Sequence, residues 1–116
     1  MIIEVQRDDE VRESINLAHA IGITMQDDIE NTEITHISVY FPAVFNPATE
    51  FANPSIIIGT YSEYDDAIML YEAIQHLDWA QNMCIEMPRD GENVKEVIES
   101  WRKLNLFPFS WRPKEW

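Results

Sequence analysis

Residues 56–77, IIIGTYSEYDDAIMLYEAIQHL, decide the predicted fold because they join a short buried strand to an amphipathic helix. Residues 56–58 are three isoleucines followed by Gly59, a run typical of a buried strand. Ser62 then begins a sequence typical of a capping box, with Asp65 at the third helical position. The helix is predicted to bury the apolar side chains that recur at helical spacing, namely Tyr64, Ala67, Ile68, Tyr71, Ile74 and Leu77.

Upstream of this unit, residues 36–41 predict a half-buried strand, because apolar and polar side chains alternate there. Pro42 ends that strand, and two Asn-Pro pairs within residues 42–55 predict an extended loop. A first helix is predicted over residues 9–20, capped by Asp8, and residues 26–33 (QDDIENTE) are predicted to form an acidic loop.

Downstream of the central unit, residues 83–87 alternate as a strand, and apolar residues from Val94 to Leu104 recur with the period of an amphipathic helix. The expected fold class is therefore α+β: one small domain over residues 1–116, with about three helices packed on a small, mostly antiparallel sheet. Residues 105–116 (NLFPFSWRPKEW) form an aromatic C-terminal tail.

Charge is the most informative feature of this sequence. Twenty-one Asp and Glu against eight Lys and Arg give a net charge of −13, and residues 13–88 contain no Lys or Arg at all. This balance disfavours direct binding of nucleic acid or of anionic lipid through a broad basic face. No apolar run is long enough for a signal peptide or a membrane span, so the expected location is the cytoplasm.

Motifs for catalysis, metal binding and phosphate binding are missing from the sequence. The three glycines are isolated, Cys84 is the single cysteine, and the three histidines (His19, His36 and His76) have no local metal-binding spacing. The sequence therefore favours a non-catalytic protein over an enzyme, with no cofactor, no metal and no catalytic residue assigned.

The functional hypothesis is that the acids form a docking surface for a basic protein partner. Such a protein would inhibit or regulate a nucleic-acid-handling protein, for example a nuclease, in the manner of an immunity protein, an antitoxin or a phage anti-defence factor. Its carboxylates would lie where nucleic-acid phosphates otherwise bind. The residues predicted to contact the partner are Asp27, Asp28, Glu30, Glu33, Asp65, Asp66, Glu72 and Trp116.

Three other interpretations remain open from the sequence. One is a small Mg²⁺-dependent hydrolase acting on nucleotides, with Glu63, Asp66, Glu96 and Glu99 as metal ligands. Another is a structural or assembly subunit whose contact is the aromatic tail. In the last, the charge only keeps the protein soluble. The oligomeric state is not predicted.

Overall fold

The computed structural model describes residues 1–8, 10–46, 50–108 and 111, with the backbone alone for residues 44–46 and 50–52. The fold is α+β. The described part of the chain contains two α-helices rather than the three predicted. Its strands are β1 (Ile2–Gln6), β2 (Arg12–Asn16), β3 (Gly22–Asp27), β4 (Thr35–Tyr40), β5 (Val44–Asn46), β6 (Glu50–Ala52), β7 (Ser55–Tyr61) and β8 (Cys84–Glu86), and its helices are α1 (Tyr64–His76) and α2 (Val94–Lys103).

The prediction of a helix over residues 9–20 is wrong. Strand β2 occupies the middle of that segment and pairs antiparallel with β1, and a single 3₁₀ turn, Leu17–His19, follows it. The side chain of Asp8 accepts hydrogen bonds from the backbone N–H groups of Glu10 and Val11, each 2.8 Å long. These bonds shape a hairpin turn, which the bond from Arg7 N–H to the Val11 carbonyl closes.

Strands β3, β4 and β7 form an antiparallel sheet, in that order, against which α1 packs. The strand predicted over residues 36–41 is confirmed as β4, whose Ile37 and Val39 are fully buried. Strand β7 is longer than predicted, and its pairing with β4 shifts register between Ile37 and Ser38. Within residues 42–55, predicted to be an extended loop, the short strands β5 and β6 pair with each other instead.

Helix α1 lies where it was predicted, but its N-terminus is built differently. The N-cap residue is Glu63, whose side chain makes no capping hydrogen bond. Both the backbone N–H and the hydroxyl of Ser62 instead donate to Asp90 Oδ1 at 3.1 Å. Tyr64 is exposed rather than buried, and the buried face is formed by Ala67, Leu70, Ala73 and Ile74.

Strand β8 pairs in parallel with β1, so the second sheet has the order β2–β1–β8. Helix α2 follows β8, and its N-cap residue is Asn93, whose side chain accepts a hydrogen bond from Glu96 N–H. Its residues Val94, Ile98 and Trp101 complete the core. No helix among the described residues is long and apolar enough to cross a membrane.

Candidate functional site

The fold brings two acidic segments of the sequence to the same end of one sheet. Asp27 is paired with Thr35, and Thr35 is paired with Tyr61, so the β3–β4 loop lies beside the end of β7. Helix α1 begins three residues after that strand ends. We call this region the acidic end; it consists of Asp27, Asp28, Glu30 and Glu33 from the β3–β4 hairpin and Glu63, Asp65 and Asp66 from the start of α1.

His36 fastens the β3–β4 loop to strand β7. Its Nε2 lies 2.6 Å from Asp28 Oδ2, and its Nδ1 lies 2.9 Å from Thr60 Oγ1. Asp28 Oδ1 also accepts from the N–H groups of Glu30 and Asn31. The hydrogen bond from His36, reinforced by these two backbone bonds, holds the pKa of the Asp28 carboxyl below its ordinary value. The loop is therefore ordered by its own carboxylate.

Asp28, His36 and Thr60 have the order of a carboxylate–imidazole–hydroxyl triad. A working triad also needs donors for the developing oxyanion and a cavity for the substrate. Thr60 lines a cleft of about 250 Å³ beside Arg7 and Asp90, but neither Asp28 nor His36 is among the described residues that line it. Among the described residues, the contacts of His36 hold the loop in place against β7.

A third segment, the turn that follows β8, packs against the acidic end. Asp90 accepts both hydrogen bonds from Ser62, and the buried hydroxyl of Tyr61 donates to the Pro88 carbonyl at 2.7 Å. Burial raises the pKa of the Tyr61 phenol, and the negative charges of Asp90, Glu92 and Asp66 raise it further. Acids from this turn and from α1 therefore both raise the pKa of the buried Tyr61 hydroxyl.

Most carboxylates of the acidic end have no cationic partner within residues 1–8, 10–46, 50–108 and 111. Among the residues that the structure describes, Asp28 alone in this set contacts a basic side chain, the imidazole of His36. Arg7 and Arg12 pair with acids of the second sheet, and Arg102 pairs with Glu99 on its own helix. Arg89 does lie in the neighbouring turn, where its backbone N–H donates to Glu92. Within the described part of the chain, the charge of the hairpin loop and of the α1 N-terminus is thus not neutralised by Lys or Arg.

Two exposed apolar side chains lie among these acids. Ile29 is fully exposed, at 100% of its reference area, between Asp28 and Glu30 in the loop. Tyr64, in the first turn of α1, is 54% exposed. Ile29 was not among the residues predicted to contact a partner, and Tyr64 was predicted to be buried. Large apolar groups surrounded by charge are typical anchors of protein interfaces.

Two of the predicted contact residues are not part of this end. Glu72 lies on the exposed side of α1, seven residues beyond Asp65 and so about 10 Å farther along the helix axis. Trp116 lies outside the described residues. The organising roles of His36 and Thr60 were also missed, because hydrogen bonds between separate strands leave no local pattern in the sequence.

The hydrolase hypothesis required four acids to approach one another. Glu63 and Asp66 lie at the start of α1, whereas Glu96 and Glu99 lie on α2, where Glu99 pairs with Arg102 at 2.6 Å. In the described part of the chain, no group of three or more His, Cys, Asp or Glu could hold a metal ion. The Mg²⁺-dependent hydrolase therefore stays a prediction, and the described residues offer no group of metal ligands that supports it.

The aromatic tail folds back onto the protein as far as the structure describes it. Phe107 is buried, and Trp111 packs at 4.9 Å from the Phe107 ring and stacks at 4.8 Å on His76. Phe109 lies outside the described residues. Phe107 and Trp111 therefore contribute to packing at the C-terminal end of α1, which reduces the apolar surface that a tail-mediated contact could use.

Comparison of the chain with protein-family models, with curated proteins and with solved structures finds no match in any of the three.

Proposed function

We propose that this protein is a non-catalytic binding protein that docks its acidic end on the basic surface of a nucleic-acid-handling protein. The observation that carries the proposal is the meeting of two acidic segments at one end of a sheet, where six of seven carboxylates have no ion-pair partner among the described residues. Carboxylates presented in this way would occupy a groove that otherwise binds phosphates, and inhibition or regulation would follow from competition.

The ordered loop supports a docking role over a merely solubilising one. A carboxylate held by an imidazole and two backbone N–H groups fixes the loop before any partner arrives, which lowers the entropy cost of association. The exposed Ile29 at its tip offers an apolar anchor. The acids would then speed the encounter and set the orientation, while Ile29 would slow dissociation. Glu72 would contribute only at the margin of the contact.

The test compares three tagged proteins as baits in a host lysate: the wild type, Asp65→Lys with Asp66→Lys, and the control Glu10→Lys with Glu96→Lys. Both variants change the net charge equally, and the control residues are exposed and lie outside the acidic end. We expect a nucleic-acid-binding protein to be retained by the wild type and the control and to be lost with the acidic-end variant.

Two further measurements on that retained protein decide the mechanism. Its affinity should fall at least about tenfold between 0.1 and 0.5 M salt, because counterion release drives the binding. A short DNA duplex should displace it, since both ligands would use the same groove. Retention of the same proteins by all three baits, or an affinity unchanged by salt, would contradict the proposal.

A further inference from the structure

Among the strands that the structure describes, none pairs with the outer edge of β8 in the second sheet. The N–H of Ile2 donates to the Met83 carbonyl at 2.8 Å, and the N–H of Met87 donates to the Glu4 carbonyl at 3.0 Å. Residues that alternate along a strand direct their backbone groups to opposite sides. Because Met83 and Met87 face β1, the backbone groups of Cys84 and Glu86 face away from the sheet, where they can pair with an added strand.

This free edge borders a cleft of about 470 Å³ between β8 and α2. One side of the cleft is polar and is formed by Glu4, Arg12 and Glu86. The other side is apolar and is formed by Val97 and Trp101 from α2 and by Leu104, the C-cap residue of that helix, which is 53% exposed. The cleft is therefore polar on one side and apolar on the other. This suits an extended peptide, because successive side chains of a strand point to opposite faces.

The charges of the cleft select the kind of peptide. Arg12 Nη1 lies 3.0 Å from both Glu4 Oε2 and Glu86 Oε1, so one guanidinium is shared by two carboxylates. That leaves an excess of one negative charge on the polar side. Arg89 and Glu92, which also line the cleft, carry opposite charges, and the chain as a whole carries −13. A basic peptide is therefore favoured over an acidic one.

We propose that this cleft binds an extended segment of a partner protein, which adds as a strand to the edge of β8 and carries alternating basic and apolar side chains. Backbone hydrogen bonds to Cys84 and Glu86 would hold the segment, as in other complexes formed by strand addition. Its basic side chains would meet Glu4 and Glu86, and its apolar side chains would lie against α2. The cleft shares no residue with the acidic end, so it does not depend on the function proposed above.

The first test uses a fluorescein-labelled, end-blocked peptide of three Lys-Val repeats, with three Glu-Val repeats as the charge control. We expect saturable anisotropy changes with the Lys-Val peptide and none with the Glu-Val peptide at about 0.15 M salt. The backbone N–H signals of Cys84 and Glu86 should shift in NMR spectra during the titration. Shifts confined to the acidic end would overturn the proposal.

The second test distinguishes strand addition from charge attraction alone. In an alternating peptide, either the Lys or the Val backbone groups face β8, depending on whether the added strand runs parallel or antiparallel. N-methylation of one set should therefore weaken binding at least about tenfold, and N-methylation of the other set should have little effect. Equal effects of the two methylated peptides would refute strand addition.

Variants then place the peptide in the cleft. Glu86→Lys and Leu104→Ser should each weaken binding several-fold, because they remove the charge and the apolar contact. Glu10→Lys and Val11→Ser make the same chemical changes in the exposed β1–β2 turn and should leave binding unchanged. The acidic-end variant, with Asp65→Lys and Asp66→Lys, should bind the peptide as well as the Glu10→Lys control does. That result would show that peptide binding in the cleft is independent of docking by the acidic end. Weakening by the controls equal to that by the cleft variants would refute the assignment.

Discussion

Removing one buried hydroxyl should loosen the contact between strand β7 and the turn that follows β8. Tyr61 is buried, and its hydroxyl donates to the buried Pro88 carbonyl at 2.7 Å. In Tyr61→Phe the carbonyl keeps its desolvation cost and loses its donor, which costs about 1–3 kcal/mol of unfolding free energy. For 116 residues, a loss of about 1.5 kcal/mol lowers the melting temperature by about 6 °C.

The same variant should have a characteristic pH dependence. Because the pKa of Tyr61 is raised in the folded state, its contribution to stability is fully present below about pH 10, the ordinary tyrosine pKa, and falls as pH rises. The unfolded wild type loses the proton first, which costs the folded state about 1.4 kcal/mol by pH 11. Phenylalanine has no such proton. The deficit of the variant should therefore shrink from about 1.5 kcal/mol at pH 8 to nearly zero at pH 11.

Urea unfolding followed by circular dichroism at pH 8 and pH 11 measures both effects. The matched control is Tyr64→Phe, which makes the same change at an exposed tyrosine three residues away and should alter stability by less than about 0.5 kcal/mol. Equal losses in the two variants, or a deficit in Tyr61→Phe that persists unchanged at pH 11, would refute the assignment of the hydrogen bond and of the raised pKa.

Three further predictions concern the helix ends and one close contact. Asn93→Ala removes the side-chain cap of α2 and should cost about 1 kcal/mol in urea unfolding, whereas a neutral result would show that the cap contributes nothing. Glu63→Ser supplies α1 with a capping hydroxyl and should stabilise the protein by about 0.5–1 kcal/mol, which a lowered melting temperature would contradict. Gly59→Ala places a methyl group about 2.5 Å from the Tyr61 ring, which its hydrogen bond holds in position. Gly59→Ala should lower the free energy of unfolding by about 1–3 kcal/mol, measured by thermal melting. The loss should be smaller in a protein that also carries Tyr61→Ala, and equal losses with and without Tyr61→Ala would refute the predicted clash.

The central part of the fold was predictable because its signals are local. The alternation over residues 36–41 and the helical period behind Ser62 both describe side chains that face one shared core, and the structure has β4 and α1 there. The strand over residues 83–87 and the helix from Val94 were found for the same reason. Each of these segments carries an unambiguous period of two or of about 3.6 residues.

The first predicted helix was wrong for an instructive reason. Asp8 does accept hydrogen bonds from the N–H groups two and three residues ahead, as a helix N-cap would. The same bonds also build a hairpin turn, and the apolar residues that follow fit both periods. The segment forms a strand rather than a helix because β1 pairs with it, and no property of residues 9–20 reveals that partner strand.

The grouping of acids at one end could be predicted only in part. The sequence identified both acidic segments, yet it gave no information about which strands place them together. That depends on the pairing of Thr35 with Tyr61 and on the His36 bridge to Thr60, which are contacts between segments about 25 residues apart. The cleft beside β8 was missed entirely, since it arises where two elements fail to touch.

The parallel pairing of β1 with β8 has a consequence for biosynthesis. Ile3 is matched with Ile85, so β1 leaves the ribosome well before its partner strand, which is 82 positions later in the chain. At typical elongation rates that delay is roughly 4–16 s, far longer than a hairpin needs to form. The nascent β1–β2 hairpin therefore exposes an unsatisfied strand edge for several seconds, a period in which a chaperone or a neighbouring nascent chain could capture it.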